Sequence, residues 1–174
     1  MSSVMPPLDL DDAFAPLPAG DQQVAQLRVP PHSMESESSV LGGLLLDNNA
    51  WERVGDLLVD GDFYRHEHKL IYEAIGKLIN GSKPADVITV YEHLQSMGKA
   101  EEIGGLLYLN ALAQYVPSAT NIRRYAEIVR ERSILRKLVG VSDEISTSVF
   151  NRGERKVAQI LDEAEQKIFA IGEE

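Results

Sequence analysis

Cysteine is absent from the 174 residues. Neither a disulfide nor a thiolate metal site can form, so nothing in the chain calls for an oxidising compartment, and a cytoplasmic location is expected. Long apolar runs are lacking as well. The stretch Val40 to Leu46 is broken by two glycines and falls far short of the ~20 residues that span a bilayer, so no membrane partner is expected. The N-terminus has no basic stretch followed by an apolar core, which excludes the usual form of a secretory signal. Also missing is G-x-x-x-x-G-K-[ST]. Without that loop, no ring of backbone amides with a lysine and a magnesium-binding hydroxyl can hold ATP phosphates. Gly42-Gly43 and Gly104-Gly105 lack the following lysine, so close packing or helix ends explain them better.

Acid, by contrast, is in excess. The net charge is -10, with 7 Lys/Arg against 17 Asp/Glu in residues 1 to 118 and 10 of each in residues 119 to 174. An acidic body repels phosphate, so single-stranded DNA binding by this chain alone should be weak. The neutral second part, dense in both signs, matches the exposed faces of long paired helices. The length suits one ordinary domain plus an appendage.

Six of the eight prolines fall in residues 1 to 32, which show no sustained apolar periodicity; this segment is expected to be a disordered tail. Phe14 within it is either a docking anchor or part of a solvated linker. Ordered structure should begin at Ser33, an N-cap, with Glu35 and Glu37 placed well against the dipole of a helix carrying Met34, Val40, Leu41, Leu44 and Leu45. Gly42-Gly43 inside it suggests close approach of a neighbouring backbone. Asn48 or Asn49 should cap a short helix with Trp51, Val54, Leu57 and Leu58 inward, followed by a turn at Asp60-Gly61-Asp62. A further helix runs from about His66 to Ile79 and stops at Asn80-Gly81. Thr89 to Glu92 has the T-x-x-E form of a capping box, Gly98 closes that helix, and another follows Gly104-Gly105 and ends near Tyr115, before Pro117. Residues 33 to 118 are thus expected to form a compact orthogonal bundle of about five short helices.

From Asn121 to Phe150 no proline intervenes, and Ile128, Leu135, Leu138, Ile145 and Val149 recur at helical spacings. One long helix of roughly 45 Å should result, too long to lie only on a bundle this small. Asn151-Arg152-Gly153 supplies a turn, after which Val157, Leu161, Ala164, Ile168 and Ile171 step by 4, 3, 4 and 3. The fold class is therefore all-α, a bundle over residues 33–118 followed by a long antiparallel helical hairpin over residues 119–174. The hairpin's seam of Leu135, Leu138, Ile145, Val149, Val157, Leu161, Ala164 and Ile168 has little to cover it. Either a second subunit does so or the hairpin folds back on the body.

No catalytic or metal-binding residue emerges. His66 and His68 lie near Asp62 in sequence, but residues two apart on a helix point to nearly opposite sides and cannot share one ion. His32 and His93 stand alone, and no serine arrangement identifies a nucleophile. The one notable basic cluster is Arg123, Arg124, Arg130, Arg132, Arg136 and Lys137, interrupted by Glu127 and Glu131. Intrahelical pairing on a solvated face and a partner surface containing Arg123, Arg124 and Arg130 both fit it.

Several stretches together resemble the N-terminal domain of DnaB-type replicative DNA helicases. They include Pro30-Pro-His-Ser33, Ser39-Val-Leu-Gly-Gly-Leu-Leu-Leu-Asp-Asn48, Asp62-Phe-Tyr-Arg65 with His68, and Ile88-Thr-Val90. Gly104-Gly105 with Tyr108-Leu109, Pro117-Ser-Ala-Thr-Asn-Ile122, Tyr125-Ala126, Ile128-Val-Arg-Glu-Arg-Ser133 with Leu135-Arg136, and Ala164-Glu165 with Ile168-Phe169 continue the pattern in order. Residues 1 to 29 lie outside it. The resemblance implies a non-motor domain that pairs through its hairpin, stacks as a trimer of dimers into a collar on a hexameric ring, and docks the C-terminal domain of primase. A helicase loader is a further partner that it allows. It places ATP, magnesium and the unwinding motor in a separate C-terminal part beyond Glu174, and single-stranded DNA in the channel of the full ring. Two other readings stand beside it: the helicase-binding domain of a primase, of similar bundle-plus-hairpin architecture, and a small metal-dependent enzyme.

Overall fold

The computed structural model describes residues 28–115 and 119–173. The expected tail through residue 27, with Phe14, lies outside the described residues, as does Pro117. Two units divide between Pro30 and Pro31, and the second, Pro31–Glu174, contains all that follows. Among its described residues the α-helices are α1 (Met34–Leu46), α2 (Trp51–Val54), α3 (His66–Asn80), α4 (Val87–Ser96), α5 (Gly105–Gln114), α6 (Ile122–Phe150) and α7 (Val157–Gly172). No strand occurs among the described residues.

Helix α1 is the axle of the bundle. Ser33 caps it, its side chain accepting from the Ser36 amide at 3.2 Å. Val40, Leu41 and Leu44 are fully buried, and the helix packs against α3, α5 and α6 at once. The glycine pair makes that possible. A Cβ on Gly42 would collide with the Leu112 carbonyl oxygen of α5, and one on Gly43 would come within 2.8 Å of Ile122 Cδ1 on α6.

The chain leaves α1 through a 3-10 turn, Asn48–Ala50, capped by Asp47 rather than by either asparagine: its carboxylate accepts from the Asn49 amide at 3.0 Å. Asn48 instead reaches across the bundle. Its side-chain amide donates to the Ala85 carbonyl at 2.7 Å, and its oxygen accepts from the Ala85 amide at 2.9 Å. On the short α2, Trp51 lays its ring against Gly76 of α3, where a Cβ would stand 2.9 Å from Cη2, and beside Tyr72 with ring centres 5.2 Å apart.

The Asn48–Ala85 pairing also corrects one expectation. The capping box belongs to Asp86 and Thr89, not to Thr89 and Glu92. Asp86 accepts from the Thr89 amide at 2.9 Å, and Thr89 Oγ1 accepts from the Asp86 amide at 2.8 Å. With Ala85 held from both sides and Asp86 extended, helical geometry begins at Val87, three residues before a cap at Thr89 would allow.

Helix α6 takes part in both halves of the unit. Ile122, Ala126 and Val129 join the core, so the first turns of the expected hairpin belong to the body, while the rest of α6 carries α7. The hairpin thus extends beyond the bundle instead of folding flat on it.

Candidate functional site

The hairpin is closed at its tip by Arg155. Its guanidinium donates to the carbonyls of Ser148 and Asn151 at the end of α6, each at 3.2 Å, and pairs with Glu163 of α7 at 2.9 Å. A cation on the last carbonyls of a helix complements its dipole while it ties the two helices together. Gly153, at φ 63°, makes the turn. Further down, Lys167 of α7 pairs with Glu144 of α6 at 3.4 Å.

Periodicity located the apolar residues of this hairpin, but the structure divides them between two stripes. Ile160 is the buried residue of α7, and half-buried Ala164 and Ile171 continue its line against α6. Ile145 is also half-buried. Leu135, Leu138, Val149, Val157, Leu161 and Ile168 are exposed, Leu161 to 58%. Val139, Phe150 and Phe169, which the sequence reading did not include, are exposed as well, Phe150 to 86%. Scattered exposed apolar residues are ordinary; this many at helical spacing on two paired helices form a face that water covers poorly. The 4-3-4-3 step from Val157 passes Ile160 by, because it mixes members of both stripes: Ala164 and Ile171 from the buried one, Val157, Leu161 and Ile168 from the exposed one.

The arginines expected to share a partner surface do not share one environment. Arg123 and Arg124 remain on the outside of α6, paired with Glu127 at 3.6 and 3.2 Å, and Arg124 also with Glu131 at 3.5 Å. Arg130 is turned inward. It donates to the fully buried carboxylate of Asp62 at 2.9 Å with its own side chain only 16% exposed. A buried carboxylate demands such a partner, which is why this arginine is drawn out of the exposed row.

A second buried polar network joins three helices of the body. Glu37 and His68 are buried, and His68 Nδ1 lies 2.8 Å from Glu37 Oε1 while Nε2 lies 2.6 Å from the Tyr108 hydroxyl. Burial, the larger influence, pushes the Tyr108 hydroxyl above its ordinary pKa, and both ring nitrogens of His68 have a hydrogen-bond partner. Glu37 also accepts from the Tyr64 amide at 2.8 Å, just ahead of α3. His66 is exposed and lies 3.5 Å from Glu102, so the two histidines face different surroundings. Among the described residues, no group of three or more His, Asp and Glu could hold a metal ion, and no helix is long and apolar enough to cross a membrane.

Comparison with known proteins gives this geometry its context. The family model for the DnaB-like helicase N terminal domain matches residues 29–131. The replicative DNA helicase DnaB of Pasteurella multocida is 44% identical over 145 residues, which is 83% of this chain and 31% of that protein. The chain therefore spans about a third of the length of such relatives. A crystal structure of the N-terminal domain of DnaB helicase from Mycobacterium tuberculosis superposes with a TM-score of 0.77 at 38% identity, over 82% of this chain and 99% of that one. The N-terminal domain of DnaB helicase from Helicobacter pylori, described with its interactions with primase, gives 0.59 at 27% identity over 74% and 96%. With more than half its length matched by that model, the chain belongs to the DnaB-like helicase N-terminal domain family.

Proposed function

We propose that this chain is the collar module of a replicative helicase in the cytoplasm. It joins subunits through the open face of its hairpin, as dimers that assemble three to a ring, and docks primase on the assembled surface. In such a protein ATP and magnesium serve a motor outside these residues, and single-stranded DNA runs through the completed ring. The carrying observation is the row Leu135, Leu138, Val149, Val157, Leu161 and Ile168, exposed on a hairpin that stands clear of the bundle. Primase docking draws on the Helicobacter pylori relative, whose interactions with primase are described. Arg123 and Arg124 are the surface cations this reading retains; Arg130 is engaged within the fold. The family match favours the helicase side over a helicase-binding domain of primase.

Leu161→Asp tests the interface. An unpaired carboxylate in a dry contact costs several kcal/mol, of order 3–5, enough to separate a marginal dimer without touching the body. Light scattering is expected to show an oligomer for the parent and a monomer of unchanged helicity for the variant. A monomeric parent, or an unchanged oligomer in the variant, removes the assignment.

A further inference from the structure

The stripe that holds α6 to the body changes character halfway. Ile122, Ala126, Val129, Ser133 and Arg136 follow one another at steps of 4, 3, 4 and 3. The first three are buried in the apolar core, the fourth is a buried hydroxyl, and the fifth is a half-buried guanidinium. From Ser133 onward the helix is attached to the 3-10 turn Asp60–Asp62 by polar groups converging on one residue. Asp62 Oδ1 accepts from Ser133 Oγ at 2.8 Å and from Arg130 at 2.9 Å, and its backbone carbonyl accepts from Arg136 Nη2 at 2.6 Å. Its other carboxylate oxygen is held by the Val59 amide at 2.8 Å, which fixes the carboxylate in place. Arg136 also donates to the Pro31 carbonyl at 2.7 Å, and its guanidinium carbon lies 5.5 Å from the centre of the Tyr64 ring. Beside this latch lies a cleft of about 560 Å³ bordered by Asp56, Leu57, Asp62, Arg130 and Lys137, so side chains do not fill the angle between body and hairpin.

We propose that Asp62, Ser133 and Arg136 are positioning residues that set the angle of the hairpin to the body, with a hinge just past Val129. Asp62 and Ser133 are buried while the latch is closed, but an arm that swings away lets water reach these polar groups, whereas separating Ile122, Ala126 or Val129 would expose apolar surface. The core therefore holds α6 at its base and the latch aims it. The inference bears on the proposed subunit interface, because the latch decides where the open face points, but its test is internal to one chain.

The absence of native cysteine allows clean spin labelling at Ser96→Cys on α4 and Gln166→Cys on α7, both exposed positions. Labelled full chain is diluted with unlabelled chain, and the distance distribution is read by pulsed electron–electron double resonance. The parent is expected to give one narrow distribution. Arg136→Gln, which removes the bonds to Pro31 and to the Asp62 carbonyl, is expected to widen it by about twofold at unchanged helicity, and Asp62→Asn to do so at least as strongly. Arg136→Lys, which keeps one cationic donor, is expected to fall between. A folded Arg136→Gln with the parent's distribution overturns the inference even if Asp62→Asn fails to fold. A monomeric parent that still shows the widening would remove the interface reading alone.

Discussion

Glu37 lies in the first turn of α1, yet its carboxylate serves the start of α3, where the Tyr64 amide and His68 converge on it. Replacing it with alanine would leave a buried imidazole nitrogen and a backbone N–H without partners, each costing about 1–3 kcal/mol. Urea denaturation of Glu37→Ala is expected to show a loss of about 3–5 kcal/mol, as for one partner removed from a buried pair. Glu37→Gln, which retains one acceptor oxygen, should lose distinctly less. Tyr72 supplies a pH-dependent counterpart. It is buried, donates to the Leu58 carbonyl at 2.9 Å, and is pushed above its ordinary pKa of 10.0 by burial first and then by Asp62 and Asp60. Raised in the folded state, it contributes stability that is fully present below pH 10 and declines as the pH rises past the unfolded value. Stability measured from pH 8 to 11 should fall less steeply above pH ~10 in Tyr72→Phe than in the parent, and parallel curves would contradict this.

At the scale of elements, two glycines predict opposite outcomes. Gly42→Ala forces a methyl into the Leu112 carbonyl and should cost about 1–3 kcal/mol, since α1 and α5 would have to separate. Gly140 sits within α6 with nothing within 4 Å of a would-be Cβ, so Gly140→Ala should raise stability by about 0.5–1 kcal/mol through helix propensity alone. Thermal melts of the two variants check both signs. The same contrast shows what the sequence could reveal. Local signals located α1, α3 and α6, because Ser33, Asn80-Gly81 and the proline-free run from Asn121 act on their own neighbours. The observed start of α4 differs from the one expected at Thr89 because Thr89-x-x-Glu92 alone fits the local capping-box pattern, while Asn48, distant in the chain, holds Ala85 and favours Asp86 as the cap. Asp62 read as a turn residue, while the partners that give it meaning, Arg130 and Ser133, arrive some seventy residues later.

For the molecule as a whole, charge sorting constrains its dealings with nucleic acid. The outer arginines of α6 are already paired with Glu127 and Glu131, and the body carries the excess acid. Few phosphates could be neutralised, so fluorescence anisotropy with labelled single-stranded DNA should show weak binding that disappears as salt is raised through the physiological range. Nanomolar affinity at physiological salt would overturn this reading. The chain's one tryptophan, Trp51, lies wedged against Gly76 and Tyr72 in the body, on a helix that also packs against α6. Its emission therefore senses the packing of α2 against α3 and against α6. Far-ultraviolet dichroism, by contrast, draws heavily on the 29 residues of α6 and the 16 of α7. The two optical signals form a built-in pair of reporters: coincident transitions would mean that arm and body melt as one cooperative unit, and separated ones that the arm frays first.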